Sequence, residues 1–120
     1  MCLPITLLVA LLAAASPAAG QLNKYAQAAG LKYFGTAVDN PSLGNGAYMA
    51  IARDPNEFGC LTPANGQKWA NTEPSKGGFS FGMGDAVANV ARQTGQMLRC
   101  HTLVWHNQLP GWGEFSRRDL

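Results

Sequence analysis

Apolar positions along this chain change their spacing from segment to segment, and each change predicts an element. Residues 22–29 carry Tyr25, Ala28 and Ala29 at helical spacing, with Gly30 as a stop. Leu31 to Val38 is rich in aromatic and β-branched residues, as a strand is, and Asp39-Asn40-Pro41 follows as a loop. Residues 46–53 predict a helix with Tyr48, Ile51 and Ala52 on one face. Phe58 to Thr62 predicts a short strand closed by Pro63, and a polar loop comes next. From Asp85 a helix places Val87, Val90 and Ala91 on one face and ends at Gly95. Met97 to Trp105 is a nearly continuous apolar run, broken by Arg99, His101 and Thr102, and predicts a third strand.

Strands and helices that alternate in this way predict α/β architecture with parallel strands. Right-handed crossovers place those strands side by side.

The two ends of the chain follow other patterns. Leu3 to Ala15 is almost wholly apolar and is followed by Ser16-Pro17-Ala18-Ala19-Gly20. That is the apolar stretch and small-residue cleavage pattern of a secretory signal peptide, with cleavage expected after Gly20. The stretch is shorter than the ~20 residues a membrane span needs, so no membrane association is expected once it is removed. At the other end, Ser116-Arg117-Arg118-Asp119 reads as a helix start, with a Ser cap and an acidic residue in the first turn. Leu120 ends the chain there, so the expectation is a truncated sequence.

Charge and cysteine content narrow the function. A net charge of +2, spread along the chain, offers no basic stripe for nucleic acid. Cys2 leaves with the signal peptide. Cys60 and Cys100 remain, and because a disulfide needs a narrow separation they are expected to be free thiols. Gly35, Gly44 and Gly46 are wrongly spaced for a phosphate loop, there is no nucleophile elbow, and no Cys or His pair has metal-ligand spacing. No metal or cofactor is expected.

Two strand ends hold the candidate chemistry, since function in parallel α/β folds collects at the carboxyl ends of strands. After the second strand come Thr62-Pro63-Ala64-Asn65-Gly66-Gln67-Lys68-Trp69 and then Glu73-Pro74. Asn65, Lys68 and Trp69 suit sugar hydroxyls and ring faces. The same residues also suit an ordinary polar loop with Trp69 packed inward. The third strand ends in His101-Thr102-Leu103-Val104-Trp105-His106, with Gln108 beyond. Strand alternation would put His101, Leu103 and Trp105 on one face, as a site floor or as part of the core, and His106 on the other.

Several segments together resemble glycoside hydrolase family 10, the β-1,4-xylanases, and above all its secreted fungal members. They are Tyr33-Phe34-Gly35-Thr36-Ala37, Glu57-Phe58-Gly59, Asn65-x-x-Lys68-Trp69 with Glu73-Pro74, Phe79-Ser80-Phe81, and Arg99 to His106 with Gln108-Leu109-Pro110. The resemblance covers nearly all of residues 21–120. It implies a (β/α)8 barrel, of which this chain would be the amino-terminal portion, about three βα units truncated after the third strand. It also implies retaining endo-hydrolysis of xylan or xylo-oligosaccharides by a secreted protein that is monomeric at full length. The two catalytic Glu of the family lie on its fourth and seventh strands, beyond Leu120, so no catalytic residue is expected here. None of Asp39, Asp54, Glu57, Glu73, Asp85, Glu114 and Asp119 matches a catalytic position. Asn65 and Lys68 match positions that bind the xylose two sites from the cleaved bond. His101 and Trp105 match positions beneath the sugar next to that bond, and Gln108 matches a glycone-side position. Ala64 departs from the family, many of whose members have Glu there. The alternative to an enzyme is a non-catalytic carbohydrate-binding remnant or an inactive truncated product.

Overall fold

A computed structural model of the chain describes residues 20–113. The signal segment 1–19 and the helix start at Ser116 lie outside the described residues.

Three parallel strands form one sheet in the order β1-β2-β3: β1 is Gly35–Val38, β2 is Cys60–Pro63 and β3 is Met97–Leu98. The helices are α1 (Leu22–Ala28), α2 (Gly46–Ala52), the single turn α3 (Trp69–Thr72) and α4 (Gly82–Thr94). This is the expected strand order, with α2 and α4 as the crossovers.

The core lies on one face of the sheet. Val38 and Leu61 point from the strands into Met49 and Ala52 of α2 and into Val87, Val90 and Ala91 of α4, all buried. The apolar face read for α4 is therefore the buried face. Gly95 closes that helix in the left-handed region at φ 69°, where glycine carries no Cβ penalty. Gln96 then turns inward, and its amide donates to the carbonyls of Ala52 and Phe58, joining the end of α2 to the entry of β2. The opposite face of the sheet carries Ala37, Cys60, Thr62 and Met97, and among the described residues no helix covers it.

Several local expectations differ from the fold. The predicted apolar side of α1 is not its buried side. Tyr25 is 68% exposed, and Asn23 is buried instead. Its amide donates to the Pro55 carbonyl and accepts from the Phe34 N–H, so the helix closes the amino-terminal end of the sheet by hydrogen bonds. In α2, Met49 replaces Ile51 on the inner face, and Ile51 is exposed. Strand β1 is shorter than Leu31 to Val38 because its pairing with β2 begins only at Gly35. Asp39-Asn40-Pro41, read as a loop, opens a 3-10 turn at Asn40–Gly44, and the segment read as a polar loop contains α3.

The largest difference is at β3. The apolar run predicts a strand from Met97 to Trp105, yet only Met97–Leu98 pair as strand. The Arg99 N–H still donates to the Leu61 carbonyl. The next bond of the alternating parallel ladder needs a donor at Pro63, which has no N–H, and pairing stops there. From Cys100 on, the chain is irregular.

Candidate carbohydrate-binding site

The carboxyl ends of the strands bring the chemistry together. Asp39 directly follows β1, and Asn65 lies two residues beyond β2. Asn65 is held through its backbone first: its carbonyl accepts from the Lys68 N–H and from the Asn71 side-chain amide. That closes the turn leading into α3. Its side chain then donates to Asp39 Oδ2 at 2.8 Å and accepts Lys68 Nζ at 2.9 Å. The same oxygen accepts the Gln108 side-chain amide at 3.4 Å.

The Lys68 ammonium also lies 4.8 Å from the centre of the Trp105 ring, a cation–π distance. One acceptor and one ring face leave Lys68 with N–H donors for a hydroxyl. The Trp105 ring stands 6.4 Å from the His101 ring, tilted by 52°. Asn65, Lys68, Trp105, His101 and Gln108 thus form one connected group. None of them lies on β3. His101 and Trp105 approach each other from an irregular segment, and Leu103, expected on their face, is 92% exposed. His106 packs edge-on to Trp105 at 5.2 Å. Among the described residues no cluster of His, Cys, Asp or Glu is arranged to hold a metal ion. Cys60 and Cys100 are both free, the first buried and the second exposed.

Three residues to which sequence reasoning gave no structural role hold these strand ends, the first two through this group and the third through the neighbouring tryptophans. Asp39 is the anion behind Asn65. Its charge also contributes to raising the Tyr48 hydroxyl above the ordinary tyrosine range, after the larger effect of burial. Gln67 accepts the His101 backbone N–H through its side-chain oxygen at 3.2 Å and so ties the two strand ends together. Glu73 accepts the Trp69 indole N–H at 2.9 Å and the Gly77 N–H at 2.8 Å, and its backbone carbonyl accepts the Trp112 indole N–H. These bonds hold the Glu73 carboxyl below its usual range: Gly77 contributes most, then Trp69, and Lys76 adds to them. Trp69 and Trp112 meet edge to face at 5.4 Å. The signal for Asp39 was its place at the end of β1, one residue beyond the pairing of Val38 with Pro63. No local pattern points to Gln67.

Gly66 is where these loops meet the helix layer. A Cβ there would come within 2.8 Å of the Met83 backbone and of Asn40 Oδ1, so only glycine allows this approach. Gln108 has φ 54°, uncommon for a residue with a side chain, and is kept there partly by the Ala70 N–H on its carbonyl. On the uncovered face of the sheet, below the group, is a concavity of about 540 Å³ lined by Tyr33, Ala37, Thr62, Ala64, Arg99 and His101.

The model of the family described as glycosyl hydrolase family 10 matches residues 21–119. The chain belongs to glycosyl hydrolase family 10. Within the family it is 52% identical over 119 residues to endo-1,4-β-xylanase 1 of Humicola insolens, covering 96% of this chain and 28% of that protein. It is 52% identical over 103 residues to an endo-1,4-β-xylanase of Agaricus bisporus, covering 83% and 31%. Among solved structures, the Penicillium canescens endo-1,4-β-xylanase XylE superposes with TM-score 0.71 at 38% identity, covering 77% of this chain and 28% of that chain. A family 10 xylanase of Bispora sp. MEY-1 with xylobiose superposes with TM-score 0.72 at 36% identity, covering 78% and 28%. This chain therefore spans well under half the length of the relatives it matches, and its sheet is an α/β fragment of their barrel.

Proposed function

We propose that the protein carrying this chain is a secreted endo-1,4-β-xylanase and that these residues build the glycone side of its cleft. In this reading residues 1–20 are a signal peptide removed after Gly20, xylan is the substrate, and the whole protein acts as a monomer. Asn65 and Lys68 hold the xylose two positions from the scissile bond, and Gln108 contributes on the glycone side. Lys68 and the Asn65 amide supply the donors. His101 and Trp105 lie beneath the sugar adjacent to that bond, with the Trp105 ring as an apolar surface for the sugar's C–H face.

Retaining hydrolysis needs a general acid/base and a nucleophile, two carboxyls about 5–5.5 Å apart. Both are assigned to Glu residues outside this chain. What these residues contribute is binding and orientation, which holds the reacting sugar in register with that pair.

The observation that carries the reading is the Asn65–Lys68–Trp105–His101 group, gathered at the carboxyl end of a parallel sheet in a family 10 chain. The test is to assay the whole secreted protein on xylan and on reduced xylo-oligosaccharides, next to purified residues 21–120. Internal cleavage by the whole protein and none by residues 21–120 is the expected result. Xylan cleavage by the short chain, abolished by changing one of its own carboxylates, would overturn the assignment.

A further inference from the structure

Among the described residues Asp39 is the one carboxylate that touches the sugar-binding group, and two acceptor atoms set it apart from any neutral replacement. Oδ1 accepts the Asn40 backbone N–H at 3.1 Å, and Oδ2 accepts the Asn65 side-chain amide at 2.8 Å. A carboxylate only accepts hydrogen bonds, so the Asn65 NH2 must face Asp39 and its oxygen must face the other way. That oxygen is the acceptor for both Lys68 Nζ and Gln108. With the amide reversed, its NH2 would face the Lys68 ammonium, donor against donor.

We infer that Asp39 is a positioning residue which locks the Asn65 amide and thereby sets the affinity for the sugar unit two positions from the scissile bond. This rests on the function proposed above. Once locked, Asn65 has both lone pairs of its oxygen engaged and one N–H left over. Lys68 likewise has only donors to offer. The two side chains therefore present donors to a sugar hydroxyl that accepts.

Asp39→Asn is the discriminating variant. Asn has one acceptor atom, so it leaves either the Asn40 N–H or the Asn65 NH2 without a partner, and it lets the Asn65 amide turn. The experiment uses the whole protein and two chromogenic probes, an aryl β-xylobioside that occupies both glycone positions and an aryl β-xyloside that occupies only the nearer one. For D39N, kcat/KM on the xylobioside is expected to fall about ten- to a hundredfold, the worth of a hydrogen bond to a charged group, mainly through KM. The xyloside should change less than about twofold. In an Asn65→Ala background D39N should add nothing further, because the residue it acts through is gone. D39A should match D39N, and either variant suffices if the other is insoluble.

Equal losses on both probes would mean a general structural role and overturn the inference, as would an unchanged xylobioside rate or additivity with N65A. Failure of the unmodified protein to cleave the xylobioside would instead defeat the proposed function, and this inference with it.

Discussion

Leaving β2, the chain meets partners at almost every residue. The Asn65 backbone and side chain are both bonded, Gly66 sits against the α4 backbone, Gln67 reaches the His101 N–H, and Trp69 and Glu73 close on each other. Leaving β3, residues 101–109 have a similar mixture of aromatic, amide and basic side chains and far fewer partners. Leu103 is 92% and Val104 71% exposed, and among the described residues no strand lies on their outer side. The first segment leaves the middle strand, which has a neighbour on each side and a helix layer beneath. The second leaves the last strand, on an edge. Order at a strand end is supplied by what surrounds it as much as by its own residues.

The sharpest way to break this comparison is to isolate the two regions together. In residues 21–120 alone, the described sheet face opposite α2 and α4 is uncovered, the β1 and β3 edges are unpaired among the described residues, and Leu103 and Phe79 are exposed. We expect no cooperative thermal transition by circular dichroism, together with binding of a hydrophobic dye. A sharp transition in a soluble monomer would mean that the second region needs no further cover.

Leu61 and Leu103 sharpen the comparison in the whole protein. Leu61 is fully buried between α2 and α4, so Leu61→Ala should cost about 2–5 kcal/mol in denaturant titration. Leu103→Ala should cost about 2 kcal/mol there, if the remainder of a family 10 barrel covers it. A cost within about 0.5 kcal/mol would show that residue 103 stays open in the complete fold.

The smallest effect concerns Glu73, a half-buried residue of the first region. Its folded-state acidity is strengthened, so its contribution is present above the ordinary Glu value of about 4.3 and is lost as pH falls through the lower folded value. Melting curves at stepped pH from about 6 down to about 3 should show a slightly steeper acid loss for the unmodified protein than for Glu73→Gln. An identical slope would mean that the bonds from Gly77 and Trp69 add no net stability.

Much of this was legible along the chain. The α4 face of Val87, Val90 and Ala91, the parallel order of the strands and the residues at their carboxyl ends follow from periodicity and from the strand–helix alternation. Family membership was legible from the Asn65-x-x-Lys68-Trp69 and Arg99 to His106 segments. The length of β3 was not, because an apolar run reads as strand until its partner runs out of donors, and the limiting residue, Pro63, lies far away in sequence. Nor was the buried side of α1, where Asn23 is inside by virtue of two specific hydrogen bonds and not by hydrophobicity.

By itself, then, the sequence determined the order of the strands and the main helices, the apolar face of α4 and the residue types at the strand ends, since these depend on spacing and local chemistry. Tertiary structure alone decided that Asp39 should hold Asn65 and Gln67 should hold His101. Both contacts join residues far apart in the chain, 26 and 34 positions, and depend on strand register and the meeting of two loops, neither of which leaves a local trace.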